Sequence, residues 1–155
     1  RIVKDASQLP TRERMDGEMA RKMLSTNLFK RPSAYSPWSA VAVVAPGDSL
    51  VFTTGLTARD LHGAIVGPDD VGVQTRRVFE LLRGILEEAG ASLQDVVSMT
   101  VFLKDIADVA AVQAIRNEIW PNATHVSSTT QAGRLASDEI RIEIAAVAAI
   151  SAGPS

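Results

Sequence analysis

Residues 73–115 read VQTRRVFELLRGILEEAGASLQDVVSMTVFLKDIADVAAVQAI, and the spacing of their apolar side chains decides the fold. Val78, Leu81, Leu82, Ile85, Leu86 and Ala89 recur at helical spacing, on one side of a helix that Asp69 or Asp70 can cap. Gly90 stands where a helix end favours a left-handed residue. Val96–Leu103 (VVSMTVFL) abandons that spacing and is apolar at nearly every position, as a strand covered on both sides is. Helical spacing then returns from Ile106 to Trp120 through Val109, Val112, Ile115 and Ile119. Asp105 or Asp108 is the cap, and Pro121-Asn122 ends the run.

On the N-terminal side, Val41, Val43 and Val44 are separated from Leu50–Gly55 by Pro46-Gly47-Asp48, a pattern that predicts a hairpin. Residues 56–68 are a loop. On the C-terminal side, His125–Ala132 and Ile140–Ile150 predict two strands joined through RLASDE. The order ββ-α-β-α-ββ predicts an α+β fold with a single mixed sheet and two helices packed on one face. The second face is also largely apolar or small, so other subunits are its expected cover.

Composition narrows the function. The 155 residues suit one domain: a basic arm at 1–36, a folded unit at 37–150 and a tail at 151–155. In the arm, Met15, Met19 and Met23 have the spacing of a short amphipathic helix lying on its own domain or on a neighbour. Residues 1–32 hold eight Lys/Arg against four Asp/Glu, leaving eight against fourteen in residues 33–155, a net of −6. So acidic a body repels a phosphate backbone, and no nucleic-acid partner is expected. There is no cysteine, hence no disulfide, thiolate nucleophile or sulfur-ligated metal. The most apolar run, Ile140–Ile150, is too short to cross a bilayer and contains Arg141 and Glu143, so no membrane partner is expected either. The opening RIVKDASQLPTRERMDGEM has no apolar leader core, and a cytoplasmic location is expected. A small molecule remains as the expected ligand.

Several stretches, taken in order, resemble the RidA/YjgF family of imine and enamine deaminases. SPWSAV (36–41) is similar to the family's opening segment and LVFTTG (50–55) to its second strand. The central run quoted above resembles the family's long signature, and GRLASDEIRIEIAAVA (133–148) its closing turn and strand. The resemblance implies a chorismate-mutase-like homotrimer with a central barrel and small-molecule clefts between subunits. It also implies hydrolysis of enamines or imines such as 2-aminoacrylate to 2-oxo acids and ammonia, without metal or organic cofactor.

Carried over residue by residue, the family's carboxylate-gripping arginine falls at Ser127, or at Val126 or His125 if the preceding loop differs in length; none is arginine. The family's water-positioning glutamate falls at Ala145, while Glu143 two residues earlier is retained. Trp38 matches the family aromatic, Gln113 the helix amide and Thr54-Gly55 the small pair. The resemblance thus implies that Trp38 stacks on a planar substrate, that Gly55 allows close backbone approach, and that Gln113, Ser127 and Thr129 donate hydrogen bonds.

Strand alternation places His125, Ser127 and Thr129 on one face and Val126, Ser128 and Thr130 on the other. His125 and Ser127 are the candidate catalytic pair, with the imidazole as base. The more ordinary reading is a histidine at a loop–strand junction beside surface hydroxyls. An absent clamp and an absent glutamate argue against the standard 2-aminoacrylate activity. The expectation is a deaminase of altered specificity; the alternative is a non-catalytic binding or regulatory trimer. A ribonuclease, an older label within the family, is disfavoured by the −6 charge. His62 with Asp60 makes no metal motif, Glu87-Glu88 reads as a solvated helix end, and Arg76-Arg77 as an exposed helical face or an interface ion pair.

Overall fold

A computed structural model describes residues 2–3, 22–26 and 39–152 of the chain. Trp38, Met15 and Met19 lie outside them. The elements run β1 (Ile2–Val3), β2 (Lys22–Thr26), β3 (Val41–Val43), β4 (Ser49–Phe52), α1 (Val71–Glu88), β5 (Val96–Leu103), α2 (Val109–Ile119), β6 (Val126–Gln131) and β7 (Ile142–Ile150). The α+β expectation holds: a four-stranded mixed sheet in the order β4-β7-β5-β6 carries two helices. β7 runs antiparallel to both β4 and β5, and β5 runs parallel to β6 through the α2 crossover.

Two expectations need correction. The Pro46-Gly47 turn forms, with Gly47 at φ 89° and the Asp48 carboxylate accepting from the Ala45 N–H at 3.1 Å. Yet the runs it joins do not pair with each other among the described residues. β3 pairs with β2, and β4 with β7. Turn chemistry sets the bend, but the long apolar edge of β7 is the better partner for Leu50–Phe52. Met23, expected on a helical face, lies instead in extended β2 opposite Ala42.

α1 starts where the Asp70 carboxylate accepts from the Val73 N–H at 2.9 Å. It ends where Gly90 turns to φ 76° and the Ala91 N–H bonds Leu86 O at 2.8 Å. Its apolar stripe (Val78, Phe79, Leu82, Leu86) is buried on the sheet. A 3-10 turn over Ile106–Asp108, capped by Asp105, leads into α2. Under the helices lie Met99, Val101 and Leu103 of β5 and Ile142, Ile144 and Ala146 of β7, all buried.

Two polar ties lock this layer to the turn before β7. The buried Gln74 amide donates to Glu139 O at 2.6 Å and accepts from the Arg141 N–H at 2.8 Å. The Arg141 guanidinium donates twice to one Asp108 oxygen, at 3.0 and 2.7 Å, which joins the start of β7 to the start of α2. Arg76 and Glu118 form a two-pronged exposed pair between the helices, and Arg77 pairs with Glu80. Those arginines are thus occupied within the chain.

Among the described residues no helix lies on the opposite sheet face. Leu50 and Phe52 of β4, Thr100 and Phe102 of β5, and Glu143, Ala145 and Val147 of β7 share it by register. Phe52 is 70% exposed and Leu50 48%, unusual for apolar strand residues.

Candidate functional site

The candidate site is built where β4 runs out. Thr53 still pairs with Ala146, its N–H donating to Ala146 O and its hydroxyl accepting from the Ala146 N–H, each at 2.9 Å. Leu56 then pairs with Ile144 through two bonds of 2.7 and 3.0 Å. Between these pairs two residues, Thr54 and Gly55, stand against one, Ala145. That count makes a β-bulge, the device that re-aims a strand end. It sets Thr54 and Gly55 opposite the small residue Ala145.

Glu143 completes the arrangement. It is half-buried on the open face opposite Phe102, two residues before Ala145. Its side chain lies directly against Gly55: a Cβ built there would stand 2.8 Å from Cδ and 3.2 Å from Cγ of Glu143, and nearer still to Oε1. Any side chain at position 55 would displace the carboxylate. Ala145 lies beside Glu143 and the bulge on the open face, and Thr100, the ladder partner of Ala145, adds a hydroxyl-bearing side chain.

β6 divides its side chains differently from what a clamp at Ser127 requires. Ser127 is in register with Met99 and Thr129 with Val101, which puts both on the helix-covered side. Val126, Ser128 and Thr130 fall beside Ser98, Thr100 and Phe102 on the open side. His125 and Ser127 are therefore near each other, as alternation requires, but beneath α2.

His125 has no exposed surface and stacks on Trp120 with ring centroids 4.5 Å apart and planes 12° from parallel. Neither of its ring nitrogens, nor the Ser127 hydroxyl, has a hydrogen-bond partner among the described residues. Burial, and then the nearby Arg116 cation, push its pKa down to about 4, so it is neutral at pH 7. A closed-in imidazole this weakly basic is poorly placed to take a proton from solvent water.

Gln113 is buried on α2, one turn before the buried Arg116. Burial lowers the Arg116 pKa to about 10, and it stays charged. The structure thus brings Thr54, Gly55 and Ala145 together at the bulge, puts His125, Ser127 and Thr129 on the helix-covered side of the sheet, and leaves Gln113 buried on α2. The last-strand pattern signals Glu143 as a retained glutamate, but the sequence does not place it in the site, because its approach to Gly55 exists only in the folded sheet. Among the described residues no three His, Asp or Glu side chains converge as a metal-binding group. No helix among them is long and apolar enough to cross a membrane.

A family model described as Endoribonuclease L-PSP matches residues 29–150. A RutC family protein of Pyrococcus abyssi is 34% identical over 130 residues, which cover 84% of this chain and 98% of that protein. The 3-aminoacrylate deaminase RutC of Acinetobacter baylyi is 33% identical over 112 residues, 72% of this chain and 88% of that enzyme. Among solved structures, the Rid-family protein YyfB of Yersinia pestis superposes with a TM-score of 0.75 at 25% identity, across 85% of this chain and 100% of that one. The fold, the run of the family model through the whole sheet and its helices, and the two RutC relatives agree: the chain belongs to the RidA/YjgF family.

Proposed function

We propose that this chain hydrolyses an enamine or imine, releasing ammonia, at clefts formed where copies of the chain meet on the open sheet face. The observation that carries the reading is the Glu143 carboxylate, seated against Gly55 on the uncovered face of a Rid-family sheet. The 3-aminoacrylate deaminase among the relatives supports the reaction type. Two further copies would cover Leu50 and Phe52 and exclude water from the face around Ala145, a homotrimer with the sheets turned inward. A chain without cysteine suits a reducing cytoplasm.

In this reading the enamine tautomerises to an imine and water adds across C=N. Glu143 takes the proton from the attacking water and returns it to nitrogen as the carbinolamine collapses to a carbonyl and ammonia. The bulge backbone at Thr54-Gly55 approaches the substrate plane, Thr100 offers a hydroxyl, and Trp38 stacks over the ligand. Gln113, Ser127 and Thr129 sit behind the strand and position it. His125, buried and neutral, holds the β6 entry against Trp120 while Glu143 serves as base.

The test is steady-state ammonia release from freshly generated imines and enamines of differing charge. Release above the buffer rate is expected. Ligand-induced thermal shifts without turnover would give the binding-trimer reading instead, and a chain that is monomeric in dilute buffer overturns both.

A further inference from the structure

Charge on the open face is one-sided. By register, β4 contributes Leu50 and Phe52, β7 Glu143, Ala145 and Val147, and the remaining strands only Ser, Thr, Phe and Val. Glu143 is the one ionisable side chain on this face among the described strand residues, and no lysine, arginine or histidine accompanies it. Position 126, the open-side position at the start of β6, holds valine. The described basic side chains nearest in sequence to the site are engaged elsewhere. Arg141 is bound to Asp108, and Arg59 donates to Thr57 Oγ1 and Gly63 O. The one imidazole near these strands, His125, is buried and neutral at pH 7.

From this distribution we infer that the cleft selects cationic iminium or neutral imine substrates and discriminates against those bearing a carboxylate. The inference rests on the cleft of the proposed function and assigns its substrate class. A carboxylate held about 4 Å from a substrate cation favours it roughly fivefold at the dielectric of water, and several hundredfold in a partly dry site. An anionic substrate meets the same factor as repulsion, and among the described residues of this face no guanidinium offsets it.

The same geometry serves the chemistry. Glu143 stabilises the protonated C=NH2+ group, the form that water attacks. Water's oxygen bonds to carbon while one of its protons passes to the carboxylate, which returns it to nitrogen. The C–N bond then breaks, nitrogen leaves as ammonia, and the carboxylate takes the remaining hydroxyl proton as the carbonyl forms and passes it to ammonia. The net reaction converts iminium and water to carbonyl and ammonium, with no oxidant or cofactor in the balance.

The test compares two stable probes of similar size, propylammonium and 3-aminopropanoate, by NMR titration of the full chain in its assembled state. Wild-type protein is expected to bind propylammonium at least about fivefold more tightly. Glu143→Gln is expected to erase that preference while circular dichroism and oligomeric state stay unchanged. Tighter binding of the carboxylate probe, no binding of either probe, or a preference that survives in Glu143→Gln overturns the inference. Ammonia release, measured in parallel, separates the two claims. Preference without turnover overturns hydrolysis and leaves the selectivity standing, whereas turnover without preference does the reverse.

Discussion

Gly55→Ala asks whether the seat of Glu143 matters to chemistry or to folding. The new Cβ would stand 2.8 Å from Glu143 Cδ, where ordinary contact begins near 3.4 Å, so Cδ must withdraw by about 0.6 Å and the carboxylate oxygen by more. The obstacle is the free end of a flexible side chain, and Gly55 is not among the positive-φ residues, so alanine suits the backbone. An off-rotamer glutamate costs about 0.5–1.5 kcal/mol. Alanine's smaller unfolded-state entropy returns about 0.4–1 kcal/mol. Net stability should change by less than ~1 kcal/mol, which moves Tm by no more than ~4 °C. Activity should respond far more, because a misplacement of about 1 Å at a reacting group costs on the order of 100-fold, or ~2.7 kcal/mol of barrier. Thermal melts and kcat/KM for ammonia release, measured on one preparation, read both quantities. A wild-type kcat/KM at unchanged Tm removes Glu143 from the reaction. A fall in Tm beyond 10 °C would instead make Gly55 a keystone of the fold.

Further perturbations address the rest of the molecule. His125 titrates at about 4 when folded and near 6.5 when unfolded, so the unfolded chain binds protons more readily between these values. Its contribution to stability is therefore intact above pH 6.5 and falls as pH drops towards 4, by about 3 kcal/mol. Urea melts at pH 7 and pH 4.5 should show a drop that His125→Phe flattens. Asp70→Ala removes the N-cap of α1 and should cost about 1 kcal/mol, seen as a Tm lower by ~2–4 °C with unchanged activity. Phe52→Glu places a charge on the open face without touching the helix-covered core, and light scattering should find folded monomers if that face is the assembly surface.

Elements that declare themselves over many residues were legible in the sequence. α1 has five turns of apolar spacing bounded by Asp70 and Gly90, and β5 falls over Val96–Leu103 as read from its nearly continuous apolar run. The hairpin was misread because Asp48 and Gly47 do make the turn, while the choice of partner is tertiary: Phe52 pairs with Val147, about 95 residues away. Alternation correctly grouped His125 with Ser127 but could not say which face the helices would cover. One register pair, Ser127 with Met99, decides that. The bulge opposite Ala145 was illegible for the same reason, since it exists only in the alignment of residues 53–56 against 144–146.

The strand order has a consequence for how the chain is made. β7 is the last strand in sequence yet sits between β4 and β5. During synthesis both neighbours emerge early and wait with open edges, and β5, greasy along most of its length, waits for some forty residues. The sheet can close only when residues 142–150 have left the ribosome. Slow, non-local closure of this kind exposes the nascent chain to mispairing. Truncation within β7 should therefore yield aggregation rather than a shortened fold, and the helices formed beforehand are the natural shield for the waiting strand.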